Sequence, residues 1–323
     1  MRAAVVHTYG GPEVVRVEHV PDPRARRGEV VVDVRAASVN FPDLLVIRNE
    51  YQVSLPTPFV PGSEFAGVIS EVGPEVDGWR EGDRVSGTSI CGAFAERVVV
   101  PAASLLRLPE GVNFLVGAAF WVTYSTSYHA LRTVARVGPG EWVGILGASG
   151  GVGLAAVDVS QVLGARVLAA ASTDEKLDLC RARGADATIN YVREDLKLRL
   201  RELTGGGADV VLDPVGGPSA EQALRSIRWG GRFVTIGFAS GEIPRIPLNL
   251  VLLKGIVVCG FEMRTFAEHA PAEQRRDRAE LLALLADGRL SPHVSAVAPL
   301  DEISDTLSQV NGRSVMGKVV LEL

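Results

Sequence analysis

The sequence predicts an α/β protein built on a doubly wound parallel sheet, with a β-rich unit ahead of it. Three observations carry this. Across residues 142–260, short apolar runs alternate with helical stretches, as when helices cover both faces of a parallel sheet. One of those runs enters a glycine-rich turn and leaves as a helix. Before residue 120, short β-rich runs instead follow one another with Gly, Pro and Asp between them. A chain of 323 residues exceeds what one hydrophobic core usually serves, so two domains are expected.

The early strands are expected at Ala3–Val6, Glu29–Val34, Glu64–Val72, Arg84–Val85 and Phe94–Val100, with turns at Pro21-Asp22-Pro23, Gly73-Pro74 and Gly82-Asp83. After Pro109-Glu110-Gly111 the period lengthens, and a helix is expected over 115–136, weakened by its Ser and Thr content. Trp142–Leu146 then reads as a strand, 154–163 as a helix stopped by Gly164, Arg166–Ala171 as a strand and 174–183 as a helix stopped by Gly184. Further strands are expected at Ala187–Asn190, 209–213, 233–237 and 256–260. A helix over 248–253, a charged surface helix over 268–289, a short helix over 306–310 and a final strand over 315–321 complete the chain.

Composition narrows the function classes. With 47% hydrophobic and 22% charged residues the chain is globular rather than disordered. A net charge of -5 and the lack of any block of five like charges argue against a dedicated nucleic-acid or membrane-surface tail. The apolar stretch from Leu248 to Phe261 is interrupted by Lys254 and Gly255 and is too short to span a bilayer. The N-terminus reaches Gly10-Gly11-Pro12 too early to hold a signal-peptide core, so a cytoplasmic protein is expected. Cys91, Cys180 and Cys259 lie far apart, which fits reduced thiols rather than a disulfide framework or a CxxC site.

The turn Gly147-Ala148-Ser149-Gly150-Gly151-Val152-Gly153 carries the chemistry. One glycine allows the tight turn, one lets the backbone approach a pyrophosphate, and one lets helix and strand pack closely. Unpaired amides at the helix start then meet the anion. The spacing from Gly147 is G-x-x-G-x-x-G, a variant of the commoner fingerprint, and in this strand–turn–helix context it points to a dinucleotide. The next strand selects between the two nicotinamide cofactors. Its tip is Ala171-Ser172-Thr173, with no carboxylate to accept from a ribose 2′-hydroxyl, and Lys176 follows one turn into the helix. A 2′-phosphate, and therefore NADPH, suits this tip. Ser172 or Thr173 can equally serve as the helix cap with Lys176 in solvent, and the two readings are compatible.

Read together, several segments resemble the zinc-independent quinone oxidoreductases of the medium-chain dehydrogenase/reductase superfamily, over essentially the whole chain. They are Asn40-Phe41-Pro42-Asp43, Pro61-Gly62-Ser63-Glu64-Phe65-Ala66-Gly67-Val68-Ile69, Gly82-Asp83-Arg84-Val85, the glycine turn, Asp213-Pro214-Val215-Gly216-Gly217, Gly237-Phe238 and Gly317-Lys318-Val319-Val320-Leu321. The resemblance implies a Rossmann sheet inserted in a GroES-like β-rich catalytic domain. Residues 1–120 with 262–323 would form the catalytic domain and 121–261 the NADP-binding domain, with NADPH in the cleft between them and a homodimer as the assembly.

In the zinc-dependent relatives a Cys stands where Asn40 is, a His where Ser63 precedes Glu64, and a second Cys near Val122; no metal site is expected here. Without a Lewis acid, the suitable acceptor is one already electron-poor, a quinone or, as the alternative, an activated C=C bond of an enone, enal or enoyl thioester. Asn40 and Tyr51, eleven residues apart, keep the family spacing and are the candidate catalytic residues. They would donate to a reduced carbonyl or to the nicotinamide ribose; packing as an aromatic lid is the other role for Tyr51. Asn49 stands where a glycine usually precedes that tyrosine, which suggests a different loop course.

For the cofactor, the resemblance implies Ser149, Gly150, Gly151 and Val152 at the phosphates and Ser172 and Lys176 at the 2′-phosphate. Tyr191 would flank the adenosine, with Asn40, Thr126, Gly237, Phe238, Phe261 and Lys318 toward the nicotinamide. Asp43 and Glu64 would be structural. Some members serve as crystallins or bind RNA, a non-catalytic alternative against which the retained Asn40, Tyr51, Thr126 and glycine turn weigh.

Overall fold

The computed structural model describes residues 1–323, which divide into two compact units, Met1–Val122 with Ser291–Leu323, and Thr123–Leu290. The first is β-rich. Its central strand, Glu29–Ser38, pairs antiparallel with Glu64–Val72, with Arg97–Pro101 and with the final strand Lys318–Glu322. The last pairing joins the two chain ends in one sheet. Phe65, Ile69 and Leu321 of these strands are buried in one core with Phe94, and the short helix Phe41–Ile47 adds Leu44 and Ile47 to it.

The second unit holds a six-stranded parallel sheet. Its spatial order is Ala187–Asn190, Arg166–Ala171, Trp142–Leu146, Ala208–Asp213, Ile227–Thr235, Val257–Gly260. Numbered along this unit the order is 3-2-1-4-5-6, the arrangement of dinucleotide-binding sheets. Trp142–Leu146 and Ala208–Asp213 are buried along their whole length, which explains their unbroken apolar runs.

Several elements differ from expectation for identifiable reasons. The helix expected over 115–136 is three pieces: Phe114–Ala118, Trp121–Tyr128 and a π-helical stretch His129–Val134. The charged helix is split into Met263–His269 and Pro271–Ala286, because Pro271 opens a new helix and holds Ala270 out of helical geometry (φ -130°, ψ 53°). The second piece is a surface helix, as expected, but one face of it is buried: Asp277, Leu281, Leu284 and Leu285 pack within the Thr123–Leu290 unit. The C-terminal edge of that unit consequently falls at residue 290, against the expected 261. Helices Phe41–Ile47, Leu196–Leu203 and Pro218–Ser226 were not foreseen. No helix is long and apolar enough to cross a membrane.

Candidate functional site

In the parallel-sheet unit, every expected cofactor residue apart from Thr126 sits at or just beyond a strand's carboxyl end, where ligands of open α/β sheets bind. After Trp142–Leu146 the chain turns at Gly147, whose φ of +57° lies in the left-handed region. Gly150 caps the helix Gly151–Val162 in extended conformation, and a Cβ on it would meet only the Gly147 carbonyl, at 3.4 Å. That leaves an open approach to the backbone, with the amides of Gly151 and Val152 in the first turn, where no intrahelical acceptor exists. Gly153 serves packing instead: a Cβ there would lie 2.3 Å from the Gly147 oxygen and 2.6 Å from Ala148 Cα. Ser149 is buried in the turn, and the Val152 carbonyl accepts from the Ser127 hydroxyl at 3.0 Å.

At the tip of Arg166–Ala171, the Lys176 ammonium reaches back to the Ser172 hydroxyl at 3.4 Å, while Thr173 caps the helix Asp174–Ala182 by accepting from the Lys176 amide. Capping and convergence thus coexist, divided between Thr173 and Ser172. Asp174, the first carboxylate past the tip, is held by Asn190 Nδ2 at 2.7 Å and by Arg193 at 2.6 Å. Hydrogen bonding from Asn190, above all, holds its carboxyl below the usual range. Asn190 and Arg193 were missed in the sequence; an Asn closing the neighbouring strand was the available signal. Tyr191, half-buried, follows that strand and donates its amide to the Ala171 carbonyl at 3.2 Å.

Toward the other end of the sheet, Gly237 and Phe238 follow Ile227–Thr235, and Phe238 is exposed. Phe261 follows the edge strand Val257–Gly260 and is buried against His129 and Phe266. Its amide donates to the Thr235 carbonyl at 3.2 Å and so extends the sheet's hydrogen bonding. Thr126 is half-buried in helix Trp121–Tyr128.

In the β-rich unit, Asn40, Glu64 and Lys318 converge. The Asn40 Nδ2 donates to the Glu64 Oε2 at 3.1 Å and to the Ser38 carbonyl at 3.2 Å, while its Oδ1 accepts from the Lys318 ammonium. A carboxylate only accepts and an ammonium only donates, so the amide has one orientation. Both of its protons are spent, which removes the expected donation to a reduced carbonyl and leaves Asn40 able to accept only. The Lys318 ammonium is likewise occupied by Asn40, by the Val39 carbonyl at 3.3 Å and by Glu64 at 3.5 Å. Burial pushes the Lys318 ammonium down and the Glu64 carboxyl up, each against the pull of the other. Asp43 accepts from the Asn40 amide at 2.7 Å, and burial raises its carboxyl to about 6. Glu64 also accepts from the Val122 amide at 2.9 Å.

Tyr51 lies half-buried in the loop beyond helix Phe41–Ile47. Asn49 adopts φ +59°, the left-handed region that glycine enters freely and asparagine tolerates. The replaced glycine therefore does not require a different loop course.

Zinc does not fit these residues. Asn40, Ser63 and Val122 supply no thiolate or imidazole, and no three His, Cys, Asp or Glu side chains anywhere are grouped to hold an ion. The Asn40 oxygen and the Glu64 carboxylate already serve a buried ammonium, next to which a divalent cation would be repelled. The glycine turn and the Ser172–Lys176 tip, by contrast, fit a phosphorylated dinucleotide, one through open backbone amides and the other through a hydroxyl and a cation.

Residues 26–110 match the family described as alcohol dehydrogenase GroES-like domain, and residues 151–285 the family described as zinc-binding dehydrogenase. Quinone oxidoreductase-like protein 2 of Rattus norvegicus is 39% identical over 324 positions, covering 100% of this chain and 92% of its own. Human quinone oxidoreductase is 30% identical, with 100% and 98% covered. The crystal structure of Escherichia coli quinone oxidoreductase complexed with NADPH superposes with a TM-score of 0.93 at 29% identity, covering 100% of both chains.

Proposed function

The chain belongs to the quinone oxidoreductase family of the medium-chain dehydrogenase/reductase superfamily, and from that premise we propose that it is an NADPH-dependent, metal-free reductase of quinones. The dinucleotide is assigned to the Thr123–Leu290 unit, and the acceptor-side groups to the unit made from the two chain ends. When bound, NADPH supplies a hydride.

The geometry supports the following roles for the chain's residues. The amides of Gly151 and Val152 hold the pyrophosphate, with Ser149 and Gly150 shaping the approach. Ser172 and Lys176 hold the 2′-phosphate, and Tyr191 lies beside the adenosine. The observation that carries the preference for NADPH is the state of Asp174. Its carboxylate is drawn to Asn190 and Arg193, one bond on each oxygen, while the tip itself offers the Ser172 hydroxyl and the Lys176 cation, which suit a phosphate. Asn40, with only acceptor capacity left, suits a ribose hydroxyl. Lys318 acts through Asn40, fixing its amide. Tyr51 remains the candidate hydroxyl for the acceptor oxygen, and Thr126, Gly237, Phe238 and Phe261 form walls toward the nicotinamide. With the cation of the β-rich unit locked in place, an acceptor that needs no Lewis acid is the suitable partner, as a quinone is.

A homodimer is part of the same proposal. The strand Val257–Gly260 is a sheet edge with an unpaired side, and Val257 and Val258 on it are exposed. Before it in sequence, Trp229, Leu248, Leu252 and Leu253 are each at least 70% exposed, large apolar side chains left in water. A second copy pairing along this edge would cover both.

The test is a panel of quinones, enals, enones and enoyl-CoA thioesters offered side by side under NADPH and under NADH. Highest kcat/KM for a quinone with NADPH supports the reading. Turnover confined to enones, enals or enoyl thioesters moves the assignment to alkene reduction. Tight NADPH binding without any turnover would leave a binding protein.

A further inference from the structure

Resting on the reading above, we infer that the buried pair Asp277–His129 is a positioning device for the nicotinamide end of the dinucleotide site. Three observations lead there. First, Asp277 is fully buried on helix Pro271–Ala286, and its Oδ2 accepts from the His129 Nδ1 at 2.7 Å. The Thr133 hydroxyl and the Arg276 guanidinium complete its partners. Burial raises the Asp277 carboxyl, but the hydrogen bonds from His129, Thr133 and Arg276 outweigh it and hold the group below its ordinary range, so it is ionised. An ionised acceptor assigns the proton to the His129 Nδ1 and fixes the plane of the ring.

Second, two of these three donors, His129 and Thr133, come from the π-helical stretch His129–Val134, which continues the helix that carries Thr126. Third, the fixed imidazole supports two phenyl rings, Phe266 at 4.7 Å and Phe261 at 5.9 Å between centroids, and these pack on each other at 5.3 Å. Phe261 is the first residue beyond the edge strand, on the side of the sheet away from Ser172 and Tyr191. In a sheet of this order, one half receives the adenosine and the other the nicotinamide. The carboxylate thus acts through His129 on the wall that Phe261 and Thr126 belong to. A ring released from Asp277 could rotate, the phenyl pair would repack, and the nicotinamide would be held less closely to its reactive position.

Two variants read this out. His129→Phe keeps an aromatic ring and loses the bond; His129→Asn keeps a donor for Asp277 and loses the ring. Each is measured for NADPH turnover with the best quinone and for binding of NADPH and of 2′,5′-ADP, which lacks the nicotinamide half. Both variants are expected to lose about tenfold or more in kcat/KM, with NADPH affinity reduced and 2′,5′-ADP affinity within about twofold of wild type. Wild-type kinetics in either variant overturns the inference. So does an equal loss for the two ligands, or a variant that no longer folds, since either means a role confined to stability. If the wild-type protein itself fails to oxidise NADPH with quinones, the functional reading falls separately, before any variant is compared.

Discussion

The Lys318 ammonium donates to the side-chain oxygen of Asn40, across 278 residues of sequence. This contact, with the Glu64 carboxylate beneath it, sets the direction in which the Asn40 amide can act. Removing one partner strands the other in a buried place. Lys318→Met should therefore lower the unfolding free energy by about 3–5 kcal/mol, and adding Glu64→Gln should restore much of the loss. Urea unfolding followed by tryptophan fluorescence checks both, and an additive double variant would contradict the linkage.

Cofactor choice rests on the tip of Arg166–Ala171. Lys176→Ala removes the cation that meets Ser172 and should weaken NADPH binding by roughly tenfold or more, leaving NADH binding nearly unchanged. Isothermal titration with both dinucleotides gives the answer; equal losses would refute a phosphate role for Lys176.

The third glycine of the turn tests packing. In Gly153→Ala the new methyl would lie 2.3 Å from a backbone oxygen, an atom that cannot step aside. Strand and helix must separate, at a cost of about 1–3 kcal/mol, and dinucleotide binding should fall with the displaced amides. Thermal melts with and without NADPH would record a lower Tm and a reduced ligand-induced shift.

These residues also indicate what a sequence can disclose. The glycine turn was legible because its meaning is local: strand, turn and helix follow one another, and Trp142–Leu146 and Arg166–Ala171 emerged at their observed bounds. The joining of the two chain ends came from the resemblance, since no local pattern announces that Leu321 pairs with Ala37. The fate of individual polar groups was not legible. That Asn40 has no proton left to donate depends on Lys318 and Glu64, each distant in sequence. Asp277 is hidden within the charged surface helix, because the charges around it mask that one of them points inward. Helix 218–226 was missed because two left-handed glycines, Gly216 and Gly217, precede it and read as loop.

Burial raises the Asp43 carboxyl to about 6, against about 3.9 in an unfolded chain. Between these values the native state holds a proton that the unfolded state has released. Stability from this group is thus fully present below about pH 4 and is lost as pH rises through about 6, an effect of about 2–3 kcal/mol. Glu64, also raised by burial, adds with the same sign. Asp43→Asn should flatten the fall in stability over this window in urea melts taken at several pH values; an unchanged slope would contradict the assignment.

In the proposed homodimer, the exposed edge of the parallel sheet carries the contact. Val258→Lys places a charge on the strand Val257–Gly260 and should convert the proposed dimer to a monomer in sedimentation velocity, with the fold retained by circular dichroism. A wild-type protein that sediments as a monomer would remove the proposal.

The central claim is hydride transfer from NADPH to a quinone without metal. It is tested most directly by single-turnover oxidation of NADPH carrying deuterium at the transferred position, with protein stripped by a strong chelator and excess benzoquinone. Stoichiometric loss of the nicotinamide absorbance is expected, slowed by the isotope and unaffected by the chelator. Activity that disappears with the chelator and returns with zinc would contradict it, as would NADPH that binds and is never oxidised.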